Sequence, residues 1–507
     1  MTPRLTIRLT TLPKVAALAA LTATTAIAGP DDNSINLVWE REQTTLDVYY
    51  FTDHTGLTVI KNVYDTLVDR DPETGEYLPL LAIEWDWESE TSLVMKLREG
   101  VKFHNGEDFN ADDVVYTLNY VTDPANKILL LQMINWIEGA EKIDDFTVRV
   151  NLKEPFPAAL EYLSLGVPIY PNEYYAEVGT EGMGMNPVGT GPYKIASFEP
   201  GREYVLEKFD GYFEGGPKAP AEVQTVRVKT QKDTNLQIGQ LMTGEADFLW
   251  RLSPDQADQL EMMGKHRIER TPTMRISFLA FNVHDANSPF SNTKVRQAVS
   301  HAINRDSIAT NLVGGGSKKL ETVCATQQVA CPTPNVIYDY NPEKARALLA
   351  EAGYTDGFST SVAGTSFRSI TEAVIGDLQQ VGIRANLDSY VWAAFREKWV
   401  NDNLEFFHSG TGFWGLGDAS IAFGTYFNDM PQDLSNDPKV NALLTEATLS
   451  YDLEERTALY AQAQDVILEN AYWVPLVNHV VNFAFAPGLQ FQPQMDEINR
   501  FYEARWE

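Results

Sequence analysis

Basic residues, histidine and cysteine are all in short supply in this 507-residue chain. It carries 40 Lys and Arg against 70 Asp and Glu, a formal charge of −30. So acidic a surface repels phosphate backbones and anionic lipid heads, which argues against general binding to nucleic acid or membrane surfaces. Seven histidines are present, and no two stand at i, i+2 or i, i+4, so no metal site is written locally in the sequence. The two cysteines, Cys324 and Cys331, have no histidine or further cysteine nearby to complete a zinc set. One local disulfide that pins a loop is the simpler expectation in an oxidising compartment.

Catalytic signatures are missing too. The chain has no G-x-S-x-G elbow, no H-E-x-x-H and no C-x-x-C. The run Gly314-Gly315-Gly316-Ser317-Lys318 lacks the spacing of a phosphate cradle and reads as a tight turn after a helix. Acidic pairs such as Asp112-Asp113 and Asp144-Asp145 are expected by chance among 70 carboxylates. No catalytic residue and no cofactor is assigned.

What is present is a globular composition, 44% apolar and 22% charged, long enough for two to four domains at roughly 150 residues each. The N-terminus has the form of an export signal. Arg4, Arg8 and Lys14 precede an apolar or small run at 15–28, which ends in Ala26-Ile27-Ala28. The run is too short and too rich in threonine to span a bilayer, and no cysteine stands at the cut for a lipid anchor. A soluble, exported protein beginning near Gly29 is expected, and without the signal the charge becomes −33.

Strand-like and helix-like patterns alternate along the rest. The runs 92–97 and 147–152 alternate as strands in a β-rich first half. In the second half, Thr293 is expected to cap a helix burying Val295, Ala298, Val299, Ala302 and Ile303. A second helix follows Asn341-Pro342, with Ala345, Leu348, Leu349 and Ala352 on one face, and ends at Gly353. A third buries Val374, Leu378 and Val381, stops at Gly382 and gives way to an alternating strand at Ile383, Ala385 and Leu387. Helix, glycine stop and strand read as part of a βαβ unit, so the class is α/β.

Four segments carry a family likeness. The first runs from Leu46-Asp47 and Val63-Tyr64-Asp65-Thr66-Leu67 to Leu97–Gly106 and Ala111-Asp112-Asp113-Val114. The others are Gly189-Thr190-Gly191-Pro192-Tyr193; Phe281-Asn282 with Pro289-Phe290 and Lys294–Ala298; and Asn341–Ala345 through Leu348–Tyr354. In this order the chain resembles the extracytoplasmic solute-binding proteins of ABC transporters, in the dipeptide, oligopeptide and nickel class. The resemblance implies a type II periplasmic-binding-protein fold of the three-domain (cluster C) kind, two lobes closing on a hinge. It divides the chain into a signal peptide (1–28), domain I (29–75, 189–275 and 480–507), domain II (76–188) and domain III (276–479). It implies a periplasmic, non-enzymatic receptor that delivers a peptide or peptide-sized solute to a membrane permease and its ATPase, with no nucleic-acid partner, working as a monomer. His104 and the Gly189–Tyr193 turn are expected to serve packing rather than ligand.

The resemblance places ligand contacts in two regions. One is the lip at Tyr49, Tyr50 and His54, where consecutive aromatics on a strand would show at least one ring to ligand; burial of that strand on both faces is the competing reading. The other comprises Trp392 and the loop with His408, Phe413, Trp414, Gly415 and Asp418. Its glycines allow close backbone approach and its rings offer stacking faces. Peptide binders of the family hold the ligand's ammonium with an aspartate here; in this chain that position falls on Gly415 or, without a gap, on Trp414, and neither supplies a carboxylate. An oligosaccharide, an opine-like solute or a metal chelate therefore stands beside peptide as an expected ligand. The other classes considered are a hydrolase built from Ser409 with His408 or His479, and a holdase.

Overall fold

The computed structural model describes residues 29, 31–51, 53–401 and 403–507, so the export signal lies outside the described residues. A single ten-stranded sheet organises the molecule. Its first half sets Ser34–Trp39 parallel to Thr225–Thr230 and Phe248–Leu252, and the hairpin Tyr193–Glu199/Glu203–Lys208 closes that edge. Its second half sets Phe358–Gly364 parallel to both Ile383–Ser389 and Phe406–Thr411. Two long antiparallel strands, Arg267–Phe281 and Trp473–Phe485, join the halves. The first half pairs with Asn482–Phe485 of one, and the second half pairs with Ile276–Phe281 of the other. Their mutual ladder loses register between Pro272 and Ile276, and again between Ser277 and Phe278. Proline cannot donate to a ladder, and such irregularities bend and twist a strand pair.

A separate four-stranded antiparallel sheet, ordered Ala82–Ser89, Ser92–Leu97, Thr147–Leu152, Ile137–Asp144, contains the two strands predicted in the first half. Alternation built them: Leu93, Met95 and Leu97 of one, and Val148, Val150 and Leu152 of the other, are buried. The predicted βαβ unit is also found. Phe358–Gly364 leads into helix Arg368–Gln380, which buries Ile370, Val374 and Leu378, and the chain turns at Gly382 (φ +94°) into the parallel strand Ile383–Ser389. Two helix ends shift by one residue. Asn292, not Thr293, caps helix Thr293–Ala302, its side chain accepting from Lys294 N–H at 3.0 Å, and Ile303 falls outside. Ala352 likewise lies just past helix Pro342–Glu351. Asn outranks Thr as a cap, which accounts for the first shift.

Residues of the last two likeness segments, Phe281, Phe290, Val295, Ala298, Ala345 and Leu349, share a core of their own, while residues of the first two meet at one junction. His104 Nε2 bonds Gly191 O at 2.9 Å, and its backbone N–H donates to Gly189 O. A Cβ on Gly189 would lie 2.1 Å from Val63 O, and one on Gly191 2.6 Å from Asn62 O, so only glycine passes there. Thr190 and Lys218 complete it by donating to the buried carboxylate of Asp65. These side chains are consumed by packing, as expected for His104 and the turn. No helix among the described residues is long and apolar enough to cross a membrane.

Candidate functional site

Both halves of the sheet and the loops beside the four-stranded sheet surround a cavity of about 1480 Å³. Of the described residues in its wall, six are basic (Arg41, Lys153, Lys232, Arg251, Arg275, Arg396) and three acidic (Glu40, Asp53, Glu154). In a chain with 30 more acids than bases, the wall has the opposite sign to the surface.

One group of charges fixes that sign. Arg275, on the junction strand, donates Nε–H to Glu497 Oε1 at 2.7 Å, and Arg251 donates from Nε and Nη2 to Oε2 at 3.1 and 2.9 Å. The Glu497 side chain is only 1% exposed. Burial alone would raise its pKa, yet Arg275 and Arg251 outweigh burial and hold the carboxyl well below the usual range. One carboxylate thus anchors two guanidiniums and leaves their remaining N–H groups at the wall, with Asp53 of the same wall acting on both from further away. Arg251 reaches this position because the strand Phe248–Leu252 is irregular between Trp250 and Leu252. The residue sits at φ +63°, with its guanidinium 4.3 Å from the Trp250 ring centre. Glu497, Phe367 and Trp414 also have positive φ, at 60°, 55° and 51°. Left-handed backbone costs a non-glycine residue about 1–2 kcal/mol; of the twelve described non-glycine residues that adopt it, Arg251, Phe367, Trp414 and Asn428 are in this wall.

Three of the nine residues expected to touch ligand line this cavity: His54, Trp392 and Trp414. Burial depresses the His54 pKa to about 4, so the ring is neutral near pH 7, and its Nε2 is buried without a hydrogen-bond partner among the described residues. Trp392 opens helix Trp392–Val400, is 43% exposed and stacks on Phe395.

The other six lie outside the described lining, each for a physical reason. Tyr49 and Tyr50 are in a 3-10 turn, Val48–Tyr50, rather than a strand. Tyr49 is fully buried and donates to Pro168 O, while the Tyr50 hydroxyl donates to Asn126 O. His408 is buried against Thr371 Oγ1 (2.7 Å), and burial lowers its pKa to about 3. Phe413 is buried in the core. Asp418 is paired with Arg456 at 2.9 Å. Gly415, at φ +77°, faces Ile498, Asp496 and Leu165, so a side chain there would meet protein. Of the two positions considered for an ammonium-binding aspartate, only 414 faces the cavity, and it holds tryptophan.

The loop's other glycines serve close approach as well, but of the protein's own side chains. A Cβ on Gly410 would lie 2.9 Å from Phe367, on Gly412 3.1 Å from Arg275, and on Gly417 2.6 Å from Arg70. Gly417 N–H donates to the buried Glu161 carboxylate, which also pairs with Arg70. Cys324 and Cys331 are joined, and their loop braces this segment: Val329 N–H donates to Gly417 O, and Ala419 N–H to Val329 O.

Nothing local in the sequence marks the Glu497 cluster, because Arg275 and Arg251 stand 222 and 246 residues from Glu497. The dyad that a hydrolase would need is not formed: His479 bonds Ser277 and His408 bonds Thr371, while Ser409 pairs through its backbone with Phe278.

The family model of bacterial extracellular solute-binding proteins, family 5, matches residues 76–432. The chain belongs to this family. The glutathione-binding protein GsiB of Escherichia coli (strain K12) is 31% identical over 460 residues, covering 86% of each chain. Among solved structures, the periplasmic binding protein DppA from Helicobacter pylori with the peptide STSA superposes with a TM-score of 0.83 at 24% identity, over 94% of this chain and 98% of that one. AgaA from A. tumefaciens R10 with agropinic acid gives 0.79 at 25%, over 94% and 99%. The fold is accordingly the type II periplasmic-binding-protein fold, and this family 5 chain is the solute-binding component of an ABC importer.

Proposed function

We propose that the protein is exported to the periplasm and captures a small anionic peptide, or a peptide-sized organic acid, between two lobes for delivery to a membrane permease and its ATPase. The observation that carries this reading is the Arg251–Glu497–Arg275 cluster in the cavity wall. Two guanidiniums with free N–H groups in fixed forks match a carboxylate by charge and shape. The buried Glu497 holds them in place before ligand arrives, so little ordering has to accompany binding. A neutral oligosaccharide would leave this charge unmatched. GsiB, named for glutathione, makes a carboxylate-bearing tripeptide the first ligand to try, and AgaA, solved with agropinic acid, supports a non-peptide acid as the second. Trp414 occupies one of the two positions aligned with the ammonium-binding aspartate of the family's peptide binders, so an ammonium-bearing peptide would have to find its counter-charge elsewhere in the wall.

The lobes are read as 29–275 with 480–507 on one side and 276–479 on the other. The junction strands cross between them near residues 272–276 and 478–480, where their ladder is interrupted. Closure about these strands would bring Trp392 and Trp414 towards the arginine wall, and ligand would select that closed form. No chemical change of the solute is involved.

A thermal-shift screen with peptides, oligosaccharides and organic acids tests the reading. Carboxylate-bearing solutes are expected to raise the melting temperature saturably and to be recovered unchanged. Response to neutral sugars alone, or turnover of a hit, would overturn it.

A further inference from the structure

A second cation in the wall has a different character from the Glu497 cluster. Arg41 lies 3.4 Å from Glu40 and 3.8 Å from Asp53, Lys232 2.6 Å from Glu42, and Lys153 donates to Asn135 O. Arg251 and Arg275 share Glu497. Arg396 lines the same cavity, is exposed, and has no carboxylate partner among the described residues. It is carried by helix Trp392–Val400, between the strands Ile383–Ser389 and Phe406–Thr411, and so belongs to the half of the sheet that does not hold Arg251.

Its neighbour on the helix adds a second feature. Trp392 and Arg396 are four residues apart and share a face, and both line the cavity, while Phe395 is buried in the core and Trp399, though buried, also reaches the wall. An open indole beside an unpaired guanidinium fits an anionic group attached to an apolar or planar stem.

We propose that the cavity takes a dianionic solute, one anionic group received by Arg251 and Arg275 and the other by Arg396 beside Trp392. This rests on the anionic-ligand reading above and narrows it from one carboxylate to two. Because the two receptors lie on different halves of the sheet, a solute carrying both charges bridges the halves and draws them together. A monoanion can satisfy only one. Charge number then becomes a determinant of specificity, and closure is tied to occupancy of both ends.

Isothermal titration with glutathione, which has two carboxylates, and with the two amides that mask one or the other, decides the matter. The wild type is expected to bind glutathione at least tenfold more tightly than either amide. In Arg396→Ala, one of the amides should bind as tightly as glutathione, while the other still binds more weakly. The variant changes an exposed residue, and an unchanged melting temperature shows that it is folded. Equal loss for all three ligands in the variant, or no loss at all, would overturn the second receptor while leaving the anionic-ligand reading intact. Failure of the wild type to bind glutathione or either amide would overturn this proposal, while the anionic-ligand reading would then stand or fall on the organic-acid arm of the thermal-shift screen.

Discussion

The two walls of the cavity solve the problem of meeting a ligand in opposite ways. On one side Arg251 and Arg275 are locked to a buried carboxylate, with backbone strain at Arg251 and Glu497. On the other, Trp392, Trp414 and Arg396 stand on a helix and a glycine-rich segment, and Trp392 and Arg396 are open to solvent. The first wall fixes charge in advance. The second offers faces and one unpaired cation. A binding site that must close can afford rigidity on one side only, since the other has to adapt to the solute and to the motion of the lobes.

The strongest break in this contrast is Glu497→Gln. Removing the shared carboxylate leaves two partly buried guanidiniums without a counter-charge, and such losses cost about 3–5 kcal/mol. Denaturant unfolding is expected to show that fall, with ligand affinity reduced as well because the forks are no longer held. Retained stability would mean that the first wall is not pre-organised by this residue.

Cys331→Ser tests the second wall. The closed loop stabilises by about 2–3 kcal/mol on chain-entropy grounds, and it also braces the segment carrying Trp414 through Val329. Stability should drop by that amount, with a smaller loss of affinity. Affinity falling while stability stays constant would place the brace elsewhere.

The pH response sharpens the account at the junction between the walls. Burial lowers the His479 pKa to about 3, against 6.5 for an ordinary histidine, with Ser277 on its Nε2 and Phe367 stacked at 4.3 Å. The folded state keeps it neutral while the unfolded state takes up a proton. Its contribution is therefore fully present above pH 6.5 and is lost as pH falls towards 3, by about 2 kcal/mol at pH 5. His479→Gln should flatten the fall in stability between pH 7 and 5 by that amount. Asp47, Asp113 and Asp247, whose pKa values burial raises to about 6, act in the other direction in both proteins and cancel from the difference.

The smallest expected effect is at half-buried Trp414. Trp414→Ala should weaken the solute about tenfold, ~1.4 kcal/mol, with little change in melting temperature. Unchanged affinity would remove the stacking role from this loop.

The same contrast explains what could be read from the chain. Ser92–Leu97 and Thr147–Leu152 were legible because a half-buried strand writes its faces into alternate residues, and Gly382 was legible because a helix stop needs a left-handed residue. The second wall was partly legible, since Trp392 follows a readable strand at a position the family likeness marks and Trp414 falls where aromatics and glycines crowd together. That crowding also misled: Gly410, Gly412, Gly415 and Gly417 make room for Phe367, Arg275, Ile498 and Arg70. Tyr49 and Tyr50 read as a strand, because three aromatics in a row hide a 3-10 turn that buries Tyr49. The first wall was not legible at all. Arg251, Arg275 and Glu497 are ordinary charged residues until the junction strands and the C-terminal segment bring them together.

The central claim is that a fixed pair of arginines receives an anionic group of the solute. Titration of wild type and Arg275→Gln with glutathione and its two single-carboxyl amides tests it most directly. The account predicts that the wild type prefers at least one free carboxylate over its amide by tenfold or more, and that Arg275→Gln erases that preference. An amide pair that binds the wild type as tightly as glutathione itself would contradict it.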